Sequence, residues 1–274
     1  DSLWICAGAI AGAALGSKVA FWAQYSDYIY AHRFEPAVLL GGKTIVGGLL
    51  GGLLGVELAK RLRGIHRSTG DTFVFPLIAG MLIGRLGCLF GGIEDNTYGN
   101  PTDLPWAVVY ADGIPRHPAP LYEALFLVVV WIVIARCRDR LTVPGDAFRL
   151  FMTSYLIFRF AADFQKPPHY PTRTLLESTM PAGHLYFGML TGIQLCCLAG
   201  LAYYARDFAR IGRELTLATM RSMTSAADAD AVATTSVAEI QGKGTLSPAN
   251  STALEAALQD LALRFVVVGS THTP

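Results

Sequence analysis

The stretch LFLVVVWIVIA, residues 125–135, carries no polar side chain on any helical face. A surface helix of a water-soluble domain keeps a polar stripe opposite its apolar one, so this stretch is surrounded by apolar material on all sides. In lipid, every backbone N–H and C=O must pair within its own segment, which makes the stretch a helix and not an open strand. Extended to its flanks it covers 120–136, close to the roughly 20 residues, or a few less, that cross a bilayer.

Five further windows of this kind lie at 3–22, 37–59, 72–92, 146–164 and 184–205. Charged residues make up 16% of the 274-residue chain, against about 25% in soluble domains, and they avoid the windows. The expectation is an all-α, polytopic membrane helix bundle with six transmembrane helices and an outer loop or head region. Most of the 28 glycines sit inside the windows, where small residues let helices approach closely. The net charge of +1 selects no partner by global electrostatics and argues against a nucleic-acid-binding face. The cysteines at 6, 88, 137, 196 and 197 lie in or beside apolar runs with no metal-ligand spacing. They are expected to be small buried hydrophobes, with neither a metal nor a disulfide framework.

Lysine and arginine in the short connections set the orientation. Ten fall on one side (Lys60, Arg61, Arg63, Arg67, Arg136, Arg138, Arg140, Arg206, Arg210 and Arg213) and four on the other (Arg33, Arg116, Lys166 and Arg173). The first side is expected to be cytoplasmic, with both chain ends inward and the longer loops 93–119 and 165–183 outside. The window at 3–22 lacks the basic start of a signal peptide. After about residue 206 the chain becomes rich in Ala, Ser and Thr. Residues 1–205 are therefore read as the membrane domain, and 206–274 as a cytoplasmic, largely disordered tail with a short helix at 251–263.

Ionisable groups at membrane depth cost about 2.5–3.5 kcal/mol each and usually face a cavity or a partner. On this topology Lys18, Lys43, Arg85 and Arg159 come to similar depth in the outer leaflet from four helices. Snorkelling to the interface accounts for Lys18 and for Arg149. It fits Arg85 poorly, because that residue stands between Gly84 and Gly87. Arg159 and Asp163, four residues apart, share a helical face and can form an intrahelical pair. Guanidinium groups suit phosphate because they are planar, permanently charged and bidentate. Converging cations need an anion, and at that depth a phospholipid head group is at hand.

The segment 84–126 holds the most distinctive pattern. Arg85 opens it within Gly84-Arg85-Leu86-Gly87-Cys88; a turn, Gly99-Asn100-Pro101-Thr102, and Trp106 follow. Arg116-His117-Pro118 closes it, with Tyr122 and Glu123 in the first turn of the next helix, where an acid suits the helix dipole. On spacing alone, His117, Glu94 and Asp95 read as surface residues as readily as catalytic ones.

These runs, with Tyr98-Gly99-Asn100-Pro101-Thr102-Asp103-Leu104-Pro105-Trp106 and Leu121-Tyr122-Glu123-Ala124, resemble the signature of the bacterial prolipoprotein diacylglyceryl transferase family. Residues 41–52 (GGKTIVGGLLGG) are similar to its glycine-rich block, Arg159 and Asp163 to its arginine-plus-acid pair, and Gln194 to a Gly-Gln position in the last span. The similarity covers roughly 8–200. It implies an inner-membrane enzyme of seven spans, the first absent from a chain that starts at Asp1. That enzyme moves diacylglyceryl from phosphatidylglycerol to the thiol of a lipobox cysteine in a lipoprotein precursor, on the outer side, without cofactor or metal.

The resemblance makes Arg85 and Arg159 the essential arginines that hold the lipid phosphate. It matches Asp163 to a family glutamate, Gly99 to the loop glycine and Glu94 to the loop glutamate. Tyr122, Glu123, Gly47 and Gly48 join the substrate-binding set on their motif positions. Three departures stand out: Cys88 replaces a loop asparagine, Asn100 an arginine, and Val46 the histidine of the H-G-G-L motif. That histidine is a candidate general base for the thiol. Lys43, one turn away, can replace it if burial among cations lowers its pKa, and His117 and Glu94 are the other candidates. Two rivals stay open: a non-catalytic lipid-binding or lipid-handling homologue without the base, and a small-solute transporter, which would show an internal repeat that the sequence lacks.

Overall fold

The computed structural model describes residues 2–167, 174–175, 178–179, 183–243, 251–252, 255–256 and 259. They are mostly helical. In chain order the helices are α1 (Ser2–Gln24), α2 (Ser26–Ala31), α3 (Pro36–Leu40), α4 (Ile45–Leu62), α5 (Gly70–Gly91), α6 (Ala119–Cys137), α7 (Asp146–Asp163) and α8 (Gly192–Lys243). Three antiparallel two-residue pairs complete them: β1 (Val108–Val109) with β2 (Pro115–Arg116), β3 (Thr174–Leu175) with β4 (Ser178–Thr179), and β5 (Leu185–Tyr186) with β6 (Leu190–Thr191). The chain divides into two compact units, Asp1–Ile211 and Gly212–Pro274. The functional geometry lies in the first.

Among the described residues three helices are long and apolar enough to cross a membrane: Ser2–Gln24, Gly70–Gly91 and Ala119–Arg140. The windows at 37–59 and 184–205 are not single helices. The first breaks between α3 and α4 at Gly41-Gly42-Lys43-Thr44, where Gly42 takes a φ of +62°. The second opens with the β5–β6 hairpin, turned at Phe187 and Gly188 with φ of +55° and +71°. The last helix, α8, runs on from residue 206 to Lys243. Alanine, which made the segment look featureless, is also the best helix former.

Two devices hold the helices of the first unit together. The first is a glycine seam between α1 and α4, which run antiparallel. Gly8, Gly12 and Gly16 face Gly55, Gly51 and Gly47, and a Cβ on Gly51 would sit 2.3 Å from the Gly12 carbonyl oxygen. Backbone cannot yield there as a flexible side chain would, so Gly51→Val is expected to destabilise the fold by about 3 kcal/mol. A thermal midpoint in detergent equal to that of the wild type would refute the seam. The second device is an apolar core from α4 to α8, centred on Val46, Ile78, Leu127, Ile134, Phe151, Tyr155, Leu156 and Cys197.

Helix ends are capped by side chains from neighbouring segments. Lys18 of α1 does not snorkel: its Nζ donates to the carbonyls of Gly42 (2.8 Å), Gly41 (3.1 Å) and Leu40, while Trp22 Nε1 donates to Leu39 O at 3.1 Å. Together they satisfy the carbonyl end of α3, where a cation also suits the dipole. At the start of α7, Asp71 accepts from Gly145 N (2.6 Å) and Phe148 N (3.1 Å). Arg149, also read as snorkelling, pairs with buried Asp146 at 2.8 Å, which Arg210 of α8 meets at 2.6 Å.

Candidate functional site

Because α5 and α7 each precede a return, their C-terminal ends share one end of the bundle with the start of α6. Five polar side chains meet there. Arg85, near the end of α5, places Nε 2.7 Å from Oε1 of Glu123 on α6. Arg159 of α7 places Nη1 3.9 Å from Glu123 Oε2, and its Nη2 donates to Asp163 Oδ1 at 3.1 Å. The Tyr155 hydroxyl donates to Glu123 Oε1 at 2.8 Å. Arg85, Glu123, Arg159 and Asp163 are all buried. Arg159 Nη1 is also buried and has no hydrogen-bond partner, an unusual state for an interior donor. Burying two cations costs less beside a shared carboxylate, which explains Glu123 between them.

The acid of the arginine pair is fixed in turn. Thr191 donates its hydroxyl to Asp163 Oδ2 at 2.5 Å. Thr191 also caps α8 reciprocally with Gln194: Gln194 N donates to Thr191 Oγ1 (3.2 Å) and Thr191 N to Gln194 Oε1 (2.9 Å), the pattern of a capping box. Gln194 Nε2 donates onward to Phe160 O of α7 at 3.2 Å. The β5–β6 hairpin is tied to the end of α1 through Tyr186 OH to Ala23 O (2.9 Å) and His184 N to Gln24 O (2.8 Å).

Arg85, Arg159, Asp163, Thr191 and Gln194 line a cavity of about 700 Å³, whose wall also includes Tyr25, Lys43, Val46, Cys88 and Lys166. A second, of about 200 Å³, lies against Tyr122, Glu123, Phe158, Arg159, Gln165 and Lys166. Burial, then the Asp163 carboxylate, pushes the Tyr25 phenol up, so it is a neutral donor at the wall. The arrangement offers fixed guanidinium donors beside a space large enough for a polar head group, which is the equipment for stabilising negative charge on a phosphorylated leaving group.

The family model described as prolipoprotein diacylglyceryl transferase matches residues 2–205. The chain belongs to this family. Among its relatives, a Methylococcus capsulatus protein is 33% identical over 211 residues, covering 73% of this chain and 75% of the relative. A Nitratidesulfovibrio vulgaris protein is 38% identical over 203 residues, 69% of each chain, and a Pseudomonas paraeruginosa protein 33% identical over 224 residues, 76% and 77%. All three are named phosphatidylglycerol–prolipoprotein diacylglyceryl transferase. No solved structure gives a significant match.

The transferase-family motifs fall into two groups in space. Arg85, Arg159, Asp163 and Glu123 come together. Glu123 lies one residue beyond the first turn of α6, which starts at Ala119, and faces cations instead of the helix end. Lys43 lies on the cavity wall but is exposed, in the non-helical break and not inside a span. The burial among cations that would suit it as a base is absent. Val46, standing where the family motif has its histidine, is buried on the same wall. His117 is placed outside both cavities, its Nδ1 3.1 Å from the Tyr122 hydroxyl, which also accepts from Trp106 Nε1 at 2.8 Å. Gly99 serves packing: a Cβ there would stand 2.7 Å from His117 Cβ and 3.1 Å from Gln165 O. Gly47 belongs to the glycine seam, and neither it nor Gly48 lines a cavity. The Glu94 side chain lies outside the described residues.

Sequence reading overlooked Tyr25, Tyr155, Thr191 and Lys166. The signal for Lys166 was its place three residues after Asp163, next to the arginine pair, where it counted only as a loop charge. The signal for Thr191 was the T-G-I-Q spacing with Gln194.

Proposed function

We propose that this chain transfers diacylglyceryl from phosphatidylglycerol to the cysteine thiol of a lipoprotein precursor. The reaction takes place at the outer leaflet of the bacterial inner membrane. The chain crosses that membrane six times, using the broken α3–α4 segment, α7 and the start of α8 besides the three apolar helices, with residues 206–274 on the cytoplasmic side. The single observation that supports the reading best is the convergence of two buried guanidinium groups on one cavity, with Arg159 Nη1 left without a hydrogen-bond partner.

In this scheme Arg85 and Arg159 grip the lipid phosphate from the cavity wall, while Glu123 and Asp163 hold the two forks in place. The precursor thiol attacks the glyceryl carbon that bears the phosphate. The C–S bond forms as the C–O bond breaks, and glycerol phosphate leaves carrying a second negative charge. Guanidinium donors aimed at that oxygen act where charge develops. The thiol proton passes to a base.

The test is transfer in vitro. The purified chain, in phosphatidylglycerol micelles with a lipobox-containing cysteine peptide, should give a thioether product with the mass of one added diacylglyceryl group. The Methylococcus capsulatus relative serves as the positive control. If the relative yields product and this chain does not, the transferase reading fails. Retained binding of anionic lipid would then identify a lipid-handling homologue.

A further inference from the structure

We infer that Lys166 is the general base that accepts the thiol proton, an assignment that rests on the transferase reading above. Lys166 follows the last turn of α7 and lines both cavities, as Arg159 does. A proton acceptor there is within reach of a group entering from either space and bound against the arginine.

Its surroundings disfavour the ammonium form. The two nearby carboxylates are committed elsewhere: Glu123 to Arg85 and Arg159, Asp163 to Arg159 and Thr191. Among the described residues Lys166 forms no ion pair. Facing it are Arg159 and Asp163 of α7, Arg85 of α5 and Glu123 of α6. Tyr25, Lys43, Cys88 and Asp95 share the larger cavity. Burial first, then the Arg159 and Arg85 guanidinium groups, bring the ammonium down to about 7 against the pull of Glu123 and Asp163. A base that titrates near working pH is the most effective kind.

The charge balance favours this role over simple phosphate binding. Without Lys166, two guanidinium groups and two carboxylates cancel. A neutral amine leaves that balance in the ground state. When the amine takes the thiol proton it becomes a cation, at the step in which the leaving group gains its second negative charge. The interaction then appears in the transition state and not before, which is where it accelerates the reaction. The proton afterwards leaves with the phosphate monoester or returns to water.

Three variants of the full chain test the assignment in the same micellar assay. Below about pH 7 the amine is protonated and cannot accept a proton. The kcat/KM for lipid at saturating peptide, which reports the site before the phosphate arrives, should therefore rise with pH through a midpoint near 7. Lys166→Arg keeps a cation but cannot accept a proton in this range, and Lys166→Met removes both. Each should lower transfer at pH 7 by about 10²-fold or more, and the midpoint near 7 should disappear. Lys166→His should recover part of the rate with a shifted midpoint. The variants' affinity for phosphatidylglycerol should stay within threefold of wild type, which separates loss of the base from loss of folding. Competitive acetylation of the lipid-free chain, read by mass spectrometry, should show Lys166 half-reactive near pH 7. If Lys166→Arg transfers within threefold of wild type, or keeps the midpoint, the residue acts as a charge only and the base assignment is overturned alone. If the wild type makes no product, the transferase reading falls with it.

Discussion

Arg159→Lys is expected to lower kcat/KM for diacylglyceryl transfer by about 10²–10³-fold, the usual loss when one oriented donor to a developing charge is removed. The substitution keeps a cation opposite Asp163 and Glu123, so the thermal midpoint should change little. What it removes is the fork. Arg159 holds Asp163 with Nη2 at 3.1 Å while Nη1 has no hydrogen-bond partner. An ammonium can serve the carboxylate or the phosphate as a point charge but cannot present both in one plane. The loss should fall mainly on kcat, because the second negative charge on glycerol phosphate appears only as the C–O bond breaks. Transfer within threefold of wild type would remove the guanidinium from the proposed role.

The second large effect concerns stability. Glu123→Leu leaves Arg85 and Arg159 facing each other in the interior without their shared carboxylate, and leaves the Tyr155 hydroxyl without its acceptor. Removing one partner from a buried ionic group typically costs about 3–5 kcal/mol, to be read as a fall in the thermal midpoint in detergent. Adding Arg85→Leu should restore part of the loss, since the pair is then replaced by apolar groups. A Glu123→Leu variant as stable as wild type would show that the bridge contributes nothing. The cluster thus has two separable properties: Arg159 is expected to govern rate, and Glu123 to govern whether the cations can be buried at all.

Much of this was legible in the residues, for reasons that differ by element. Arg85 and Arg159 stand out because a charge inside an apolar window demands a reason, and the topology read from loop charges places both at one depth. The glycine spacing of α1 and α4 is visible in the sequence, but the close backbone approach in which Gly47 takes part shows only in three dimensions. The break at Gly41–Thr44 was not readable: glycine pairs fit a tight helix crossing and an unwound turn equally well, and only carbonyl capping by Lys18 and Trp22 across the bundle decides between them. The β5–β6 hairpin was hidden by its apolar composition, since the run from Leu185 to Leu190 looks like helix on hydropathy alone. Glu123 was misread because the local dipole argument competes with an ion pair that the sequence separates by 38 positions from Arg85 and by 36 from Arg159. Spacing favours Lys43, near the position of the family histidine, as proton acceptor; what favours Lys166 is that it lines both cavities beside Arg159, a neighbourhood in space that a loop lysine's sequence neighbours do not reveal.

The lysine that closes off α3 makes two segments one cooperative piece. The carbonyls of Leu40, Gly41 and Gly42 lie in an unwound stretch, and the Lys18 amine of α1 meets all three. Loss of α1 would strip that stretch of its donor, so the first helix and the segment from Pro36 to Leu62 are expected to open together when the protein unfolds.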